Sequence, residues 1–537
     1  MKKLIMLTLS ASVLAACQST PTDTAKTTTT NQQDQSTHVE TQTAKPQPPV
    51  QQQVQLLNPE LIAPLPVVEE ITPQQEADLW QRIRRQLTMQ IPENARIDAQ
   101  RKFYLQHPTY MDRVAKRAAP FMHLIVEEIE KRNLPLELAL LPIVESAFDP
   151  FAYSHGSASG IWQFIPGTAR QYGLDINWWY DGRRDVYSAT HAALDYLTAL
   201  NERFDNWLHA LAAYNSGGGR VNSAIRRNAR AGKPTDFWSL DLPRETRAYV
   251  PKLLALADIL SQQEKYQVSW LPIENEPYLQ VVETGSQIDL ALAAEKSGLE
   301  LQQLHHYNSG YNRWATNPEG PHRLLLPLEN AERLQQWLAN AEQQDLVRWH
   351  RHKVKSGESL IVIAKQYHTT PHAIQQANNL TGHLIRAGDY LVVPAASREL
   401  DDYSLSADQR LTATQSQQQG SYKIDHTIQR GDTLWDLSRK YDVNLRQLAK
   451  WNGMAPTDPL RPGRKLVVWQ GEEKTSGVTR NIHYQVRSGD SLARIASRFN
   501  VTIRDIEKWN QINRRNYLQP GQRLKLIVDV TRMTNDI

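Results

Sequence analysis

One glutamate stands where a carboxylic acid could transfer protons. Glu145 follows Val144 and precedes Ala147 and Phe148, so its neighbours along the chain are largely apolar. A carboxyl in apolar surroundings is desolvated, which raises its pKa and lets it donate a proton near neutral pH. Glu145 is therefore predicted to be a general acid. A solvated glutamate at a helix end is the competing interpretation.

Enzymes that cleave glycosidic bonds normally use two carboxylates, and the sequence offers no clear partner for Glu145. Asp149 is the nearest candidate, but it precedes Pro150 and has the character of a turn residue. More distant aspartates occupy predicted loop positions: Asp175, Asp181 and Asp185. The local pattern places none of them beside Glu145, so chemistry that depends on one acid is expected.

Metal and thiol chemistry are not indicated by the residue pattern. The histidines are scattered, and none has the helical glutamate partner of a zinc motif. The single cysteine, Cys17, ends an apolar N-terminal run. The glycines at 217–219 are not followed by the Lys-Ser/Thr pair of a phosphate loop. No metal and no cofactor is predicted.

Length and charge limit the architecture and the partners. The chain has 537 residues, 22% of them charged and 40% hydrophobic, and a formal net charge of +4. This length is too great for a single core and suggests several soluble domains. No block of lysine and arginine resembles a nucleic-acid footprint, so no nucleic-acid partner is expected.

The N-terminus has the features of a secretory signal. Two lysines precede an apolar run that is too short to span a bilayer comfortably. Its end, Leu14-Ala15-Ala16-Cys17, resembles the bacterial lipobox, which implies a signal peptide at 1–16 and a lipidated Cys17. Gln18 in place of aspartate implies an outer-membrane lipoprotein facing the periplasm. Residues 17–72 are rich in Thr, Gln, Pro and Ser and are predicted to be a disordered tether.

The segment that carries Glu145 has helical spacing. Apolar residues recur near i, i+3 and i+4 in two stretches: Phe121, Leu124, Ile125 and Ile129, then Ala193, Tyr196, Leu197 and Leu200. Pro135 suits a helix start, and Pro142 should kink that helix or begin a second turn. These patterns predict an all-α domain at 73–268, called the helical domain below.

The C-terminal part contains one pattern three times. Segments with a shared Gly-acidic-Ser/Thr-Leu core open each copy: Val354–Leu360, Ile428–Leu434 and Val486–Leu492. Two helical stretches, a glycine turn and an apolar strand follow each segment, which predicts a strand-helix-helix-strand unit. The copies are called repeat 1, repeat 2 and repeat 3 and cover 349–395, 424–469 and 482–528. Polar linkers near 398–420 and 470–480 are predicted to separate them.

Within the repeats, polar residues have predicted roles. Glu358, Asp432 and Asp490 stand where an acceptor could cap the first helix, and Asn444 is expected to cap the second helix of repeat 2. The asparagines that end the second helices are candidate ligand contacts, although they could equally serve only to hold the fold: Asn378, Asn452 and Asn510.

A fourth, degenerate copy is predicted at 278–330. It has no clear glycine turn before its final apolar strand. It is interpreted as a packing unit, and whether it binds glycan stays open.

Residues 144–169 resemble the lysozyme-like domain of family 1 lytic transglycosylases, and the repeats resemble LysM domains. Two further family signatures follow in the expected order, Ala213–Val221 and Glu245–Val250. The resemblance implies a multidomain chain, with an all-α lysozyme-like catalytic domain followed by three small βααβ LysM domains. It also implies a lyase that cleaves the bond between N-acetylmuramic acid and N-acetylglucosamine without water, giving 1,6-anhydromuramyl ends.

In this family one glutamate, here Glu145, performs both proton transfers. The resemblance implies substrate-binding roles for further residues: Ser146, Gln163, Tyr214, Asn215 and Tyr249. Tyr249 is expected to hydrogen-bond Glu145 or to set its environment, while ordinary core packing is the alternative for both tyrosines. The implied partners are peptidoglycan glycan strands and, through the N-terminal lipid, a membrane.

Three other functions are alternatives to this one. A hydrolytic muramidase on the same scaffold would differ in its product by one water. A non-catalytic peptidoglycan-binding lipoprotein is disfavoured by the intact Glu145-Ser146 pair, and a peptidase lacks the cysteine or metal cluster that it would need.

Overall fold

The computed structural model describes residues 71–471, 479–499, 501–513 and 518–529. The predicted signal peptide, Cys17, nearly all of the predicted tether and most of the second linker lie outside these residues. Within the described ranges, no helix has both the length and the apolar character needed to cross a membrane.

The helical domain is all-α, as predicted. Its helices are α1 (Leu79–Arg84), α2 (Ala95–Leu105), α3 (Pro108–Lys131), α4 (Leu141–Ser146), α5 (Pro166–Gln171), α6 (Val186–Phe204), α7 (Trp207–Ser216), α8 (Gly218–Arg230), α9 (Arg244–Ser261) and α10 (Gln263–Tyr266). The apolar faces of α3 and α9 are fully buried in one shared core, which includes Phe121, Ile125 and Leu253. This core surrounds the short helix α4.

The end of α4 turns the chain sharply just after Glu145. Pro142 lies in the first turn of α4, as predicted, after a 3-10 helix at Leu136–Leu140. Ala147 and Phe148 then adopt left-handed backbone conformations with φ of 52° and 56°. Left-handed backbone is unfavourable for residues with a Cβ, and the buried Phe148 ring holds the chain there. Glu145 is consequently fixed in the last turn of its helix.

A tight loop at 149–164 follows that turn. Isolated bridges pair Ser159 with both Tyr153 and Phe164. Gly160 has φ of +82°, and a Cβ at this position would stand 1.8 Å from the carbonyl oxygen of Arg183. Only glycine fits a backbone approach this close, so the loop is packed directly against the 181–185 segment.

The degenerate repeat has the same strand and helix order as the other repeats, with one helix added. Its elements are β1 (Leu279–Glu283), α11 (Leu290–Ser297), α12 (Leu301–Tyr307), β2 (Arg323–Pro327) and α13 (Leu328–Leu338). β1 and β2 pair antiparallel, with Leu279 opposite Pro327. Arg323 ion-pairs with Asp185 of the helical domain at 2.9 Å, so this repeat is packed against that domain, as the interpretation of a packing unit expects.

Each of the three repeats is a strand-helix-helix-strand unit around a two-stranded antiparallel sheet. Repeat 1 contains β3 (Arg348–Lys353), α14 (Leu360–Gln366), α15 (Pro371–Ala377) and β4 (Tyr390–Ala395). Helix α16 (Ala407–Ser416) precedes repeat 2, which contains β5 (Tyr422–Thr427), α17 (Leu434–Lys440), α18 (Leu445–Trp451) and β6 (Lys465–Gln470). Repeat 3 contains β7 (Thr479–Gln485), α19 (Leu492–Arg498), α20 (Ile503–Asn510) and β8 (Arg523–Asp529).

The predicted capping residues of the first helices are wrong by one position. The side chains that accept from the helix amides are Ser359, Thr433 and Ser491. The acidic neighbours instead accept the backbone N–H three residues earlier and a side chain from the opening strand, as Glu358 does from Lys355 and His352. Asn444 caps α18, as predicted.

An asparagine side chain joins the second helix to the closing strand in every repeat. In repeat 2 the Asn452 amide donates to the carbonyls of Leu448 and Val467, and its oxygen accepts from the Val467 N–H at 2.7 Å. The same three bonds are made in the other repeats by Asn378, Asn510 and, in the degenerate repeat, Asn308. We call this feature the asparagine staple.

The segment near 398–420 is not the free polar linker that composition predicted. Tyr403 is buried, and its hydroxyl donates to the Asp289 carboxylate of the degenerate repeat. The Ser397 N–H donates to the same carboxylate at 2.8 Å. A buried carboxylate needs such donors, and here they come from a segment that follows repeat 1 in the chain. Tertiary contacts therefore order this segment.

The asparagine staple predicts a local stability effect. Asn378→Ala removes the hydrogen-bond partners of the Val392 N–H and C=O and the donor to the Ile374 carbonyl. The loss should cost roughly 1–3 kcal/mol, because each such hydrogen bond contributes about 0.5–1.5 kcal/mol to stability. Hydrogen exchange of the amides in α15 and β4 should accelerate. The adjacent Asn379 has φ of 52°, so Asn379→Gly is a matched control that should leave exchange nearly unchanged. Equal exchange in both variants would contradict the staple's role.

Candidate active site

Glu145 is buried at the end of α4 and receives one hydrogen bond from a tyrosine. Its exposed fraction is only 7%. The Tyr249 hydroxyl, on α9, donates to Glu145 Oε1 over 2.5 Å. Tyr249 is itself buried, and burial together with the nearby Glu145 charge raises its pKa well above the ordinary value. Tyr249 therefore keeps its proton and remains a donor.

Burial changes the acidity of Glu145. Its pKa is raised from an ordinary 4.5 to about 8. Desolvation is the largest cause and the charge of Glu245 adds to it, while the Tyr249 hydrogen bond and the charge of Lys252 act in the opposite direction. The carboxyl is consequently protonated at neutral pH, and it can release the proton without a large free-energy cost because its pKa lies near that pH. The competing interpretation of a solvated glutamate is wrong.

The 149–164 loop is tied to the residues around Glu145. Tyr214, on α7, donates its hydroxyl to the Trp162 carbonyl at 2.9 Å. The Ser146 hydroxyl lies 3.0 Å from the Ile161 carbonyl and 3.2 Å from that of Pro142. Two neighbours of Glu145, one in sequence and one in space, are thereby connected to the same loop.

The sequence-predicted site residues divide into two groups. Tyr249 contacts Glu145, and the charge of Glu145 raises the pKa of Tyr214 as a secondary effect after burial. The others have internal partners: Ser146 faces carbonyls, the Gln163 amide donates to the Gly160 carbonyl, and Asn215 accepts from the Thr246 hydroxyl. These three polar groups hold loop and helix positions in the structure.

Glu245 is a charged neighbour of Glu145 that was not predicted from the sequence. Glu245 begins the same signature as Tyr249 and lies one helical turn before it on α9. Its position four residues from Tyr249 was the signal that places both on one helix face. Asp149, which the sequence suggested as nearest, accepts from the Phe151 N–H and is a turn residue, as expected.

Two of the other aspartates, Asp181 and Asp185, have structural partners. Asp181 ion-pairs with Arg183 at 2.8 Å, and Asp185 accepts from Tyr180 and Arg323. Across the described part of the chain, no group of three or more His, Cys, Asp or Glu side chains is arranged to hold a metal ion.

In the repeats, the candidate asparagines make internal hydrogen bonds. The asparagine staple uses the side-chain amides of Asn378, Asn452 and Asn510. This favours the alternative that these residues hold the fold. The repeats also carry exposed apolar side chains. The exposed fractions are 71% for Ile361 and 95% for Leu384 in repeat 1, and 54% for Trp435 in repeat 2. Ile361 and Trp435 occupy the same position, two residues after the helix-capping Ser359 and Thr433.

Comparison with known proteins agrees with this arrangement. Residues 123–237 match the model for the transglycosylase SLT domain, and 278–343 match the LysM-like domain of the lytic transglycosylase MltD. The LysM domain model matches 352–394, 426–469 and 484–526. Membrane-bound lytic murein transglycosylase D from Escherichia coli K12 is 39% identical over 405 residues, covering 73% of this chain and 86% of that protein.

The chain belongs to the membrane-bound lytic murein transglycosylase D family. It is therefore an enzyme of the lyase class, a lytic transglycosylase whose SLT and LysM domains act on and bind peptidoglycan. The Bacillus subtilis cell wall-binding protein YocH is 37% identical over 87 residues, covering 16% of this chain and 28% of that protein. The 70 kDa soluble lytic transglycosylase of Escherichia coli is 21% identical, covering 36% and 35% of the two chains with a TM-score of 0.23.

The Tyr249 hydrogen bond predicts a pKa change of known sign in this transglycosylase. The bond stabilises the charged carboxylate, so Tyr249→Phe should raise the pKa of Glu145 above its present value of about 8. Titration of the glutamate carboxyl by carbon NMR would measure it. Tyr104→Phe, a buried tyrosine of the same domain, is the control and should leave the titration unchanged. A lowered pKa in Tyr249→Phe would contradict the assignment.

The raised pKa also predicts how stability depends on pH. Between pH 4.5 and about 8 the folded chain keeps the Glu145 proton, whereas the unfolded chain releases it. The free energy of unfolding should therefore fall as pH rises through this window. Glu145→Gln cannot titrate and should lack that part of the fall, as measured by denaturant unfolding at several pH values. Parallel pH profiles for the two proteins would show that the carboxyl titrates normally.

Proposed function

We propose that the protein cleaves the bond between N-acetylmuramic acid and N-acetylglucosamine without water and leaves 1,6-anhydromuramyl ends, with Glu145 as acid and base. The observation that carries this proposal is the buried carboxyl, held by Tyr249, with a pKa of about 8. A group that must give and then take one proton near neutral pH works best when its pKa lies near that pH.

The proton and bond changes balance within one sugar. Glu145 donates its proton to the glycosidic oxygen as the C1–O bond breaks, so the departing sugar leaves with a hydroxyl. The resulting carboxylate then takes the proton from the muramyl C6 hydroxyl as that oxygen bonds to C1, and the acid is restored. The nucleophile belongs to the same ring, and intramolecular attack carries a large effective molarity.

Tyr249 would stabilise the intermediate state of Glu145 in this cycle. Its hydroxyl donates to Oε1, and such a bond to an ionised carboxylate is stronger than one to the neutral acid. Because the surroundings are dry, the bond acts in a low dielectric, where it is worth more than in water. Tyr249 thus limits how far burial raises the pKa and keeps the carboxylate accessible.

A hydrolytic muramidase is the second candidate, and one observation favours it. Such an enzyme needs a second carboxylate to activate water, and the charge of Glu245 is felt at Glu145. The two mechanisms differ in product, because a hydrolysed muramyl end carries one more water than an anhydro end.

We further propose that the repeats retain the enzyme on the wall. The three matches to the LysM domain support this, as do the exposed side chains of Ile361, Leu384 and Trp435. Aromatic faces stack on sugar rings, so Trp435 is the candidate platform in repeat 2. Anchoring by a lipid on Cys17 in the outer membrane is proposed from the lipobox resemblance alone.

Glu145→Gln tests the chemistry. Loss of the general acid should lower the release of muropeptides from purified sacculi by about 10²–10⁴-fold. Mass spectrometry of the wild-type products should show muramyl ends lighter by one water than hydrolysed ends. Glu245→Gln is the matched control. It removes a carboxylate whose charge reaches Glu145 but which the proposed chemistry does not use, so anhydro ends should remain the product.

Two results would overturn this proposal. Undiminished release by Glu145→Gln would remove Glu145 from the mechanism. Hydrated muramyl ends from the wild type, together with their loss in Glu245→Gln, would support the muramidase.

Trp435→Ala tests wall retention in the full chain. Loss of one aromatic contact, worth about 0.5–1.5 kcal/mol, should weaken binding to insoluble sacculi several-fold, as tenfold corresponds to about 1.4 kcal/mol. Tyr422→Ala removes another exposed aromatic of repeat 2, on the opening strand, and should bind like wild type. Equal sedimentation of Trp435→Ala and wild type with sacculi would exclude Trp435 as a glycan contact.

A further inference from the structure

A carboxylate of repeat 2 accepts two hydrogen bonds from the loop that follows Glu145. Asp458 Oδ2 receives the Tyr153 hydroxyl at 2.8 Å, and Asp458 Oδ1 receives the Ser157 hydroxyl at 2.5 Å. These residues are about 300 positions apart in the chain: the separations are 305 and 301. A single side chain therefore bridges a LysM domain and the active-site region.

Asp458 is held in place before it meets the loop. It lies in the turn between α18 and β6, where its Oδ2 also accepts the Ala455 N–H at 2.8 Å and its own N–H donates to the Ala455 carbonyl. The carboxylate is thus oriented by the turn itself. Its two oxygens point at two hydroxyl donors of one loop, which is the arrangement of a built contact.

The loop side of the contact is equally constrained. Ser157 has a left-handed backbone with φ of 62°, and its carbonyl accepts from Arg183 at 2.7 Å. Tyr153 is bridged to Ser159. The same loop continues to the Ile161 carbonyl, which faces Ser146, and to the Trp162 carbonyl, which accepts from Tyr214. The loop residues that contact Asp458 are therefore within ten positions of those that contact the neighbours of Glu145.

Helix α16 provides a second, independent tie between repeat 2 and the same loop. The Arg410 guanidinium lies over the Phe151 ring, 4.5 Å from its centre. On the other side of α16, the Gln415 amide donates to Asn452 Oδ1 at 2.8 Å. Asp408 on the same helix ion-pairs with Arg313 of the degenerate repeat. Repeat 2 is therefore not suspended on a free linker.

Two cations of repeat 2 also lie close to the 149–164 loop. Arg446 and Lys450, on α18, lie close enough to His155 of the loop to lower its pKa, after burial as the larger cause. The face of repeat 2 that includes α18 and its following turn is thus the face that meets the 149–164 loop.

We infer that Asp458 is a positioning residue: it docks repeat 2 on the 149–164 loop, so that this LysM domain forms a fixed extension of the substrate site at Glu145, called the cleft below. A docked domain has a high effective concentration for a strand that already lies in the cleft. Long glycan strands then bind to both parts at once, while short glycans occupy the cleft alone. This effect on substrate length rests on the proposed function, but the docking itself does not.

Hydrogen exchange on the full chain tests the docking without any substrate. Asp458→Asn removes the charge and one acceptor, and amides in the 149–164 loop should exchange on the order of tenfold faster because their outer anchor is lost. Asp425→Asn is the matched control: it makes the same charge change in repeat 2, on an exposed strand position that pairs with Lys423. The control should exchange like wild type.

A reciprocal set checks that the effect comes from this contact. Tyr153→Phe with Ser157→Gly removes both donors, and glycine keeps the left-handed backbone at 157. Adding Asp458→Asn to this double variant should then change loop exchange no further. Additive effects would mean that Asp458 acts elsewhere in repeat 2, and they would overturn the inference.

Kinetics supply the second arm. Asp458→Asn should raise KM for long glycan strands about fivefold, since the second binding site is no longer held at the cleft, and should raise KM for a short soluble glycan much less, so that the preference for long strands falls. Unchanged loop exchange overturns the docking. Altered exchange with faster turnover on both substrates overturns the extension, because repeat 2 would then restrain the site. Failure of the anhydro chemistry alone leaves the exchange result intact.

Discussion

The burial of one carboxyl against one tyrosine hydroxyl determines what this structure can do. Desolvation raises the pKa of Glu145 to about 8, and the Tyr249 hydrogen bond opposes that rise. Burial without the hydrogen bond would favour the neutral acid still more and make the return of a proton to solvent or sugar slower. Exposure would lower the pKa and leave an anion that cannot donate. A pKa that suits both proton transfers lies between these limits. It requires α4 and α9 to stay at the distance that keeps the hydrogen bond between Tyr249 and Glu145.

That separation is fixed by backbone features more than by polar contacts at the site. Two consecutive residues with left-handed backbone, Ala147 and Phe148, follow the end of α4, two and three residues after Glu145. The Phe148 ring is buried, and its packing stabilises this otherwise unfavourable conformation. Gly160 then allows the following loop to pack against the Arg183 carbonyl at a distance no side chain permits. Ser146 and Tyr214 connect that loop back to the acid's surroundings. The polar residues Ser146 and Tyr214 thus help to hold this loop in place around Glu145.

The sequence predicted what depends on local patterns and did not reveal contacts between residues that are distant in the chain. Helical periodicity, the turn at Pro142 and the apolar neighbours of Glu145 are properties of neighbouring residues, and all three are confirmed. Asn378 and Ser146 carry polar groups that suggested ligands, but their partners are carbonyls 14 and 15 residues away that no local pattern reveals. Composition likewise made the 398–420 segment look like a free linker, whereas Tyr403 finds the Asp289 carboxylate 114 residues back.

The difference between local and distant contacts also explains how four copies of one unit can have different roles. Each copy keeps its asparagine staple, which satisfies the strand and helix ends from within and leaves the remaining surface free to vary. The degenerate repeat uses its surface to pack on the helical domain through Arg323. Repeat 2 uses the turn that carries Asp458 to reach the loop beside the acid, and it still exposes Trp435. Because the internal bonds do not depend on these outer residues, contacts between domains can change in a repeat without unfolding it.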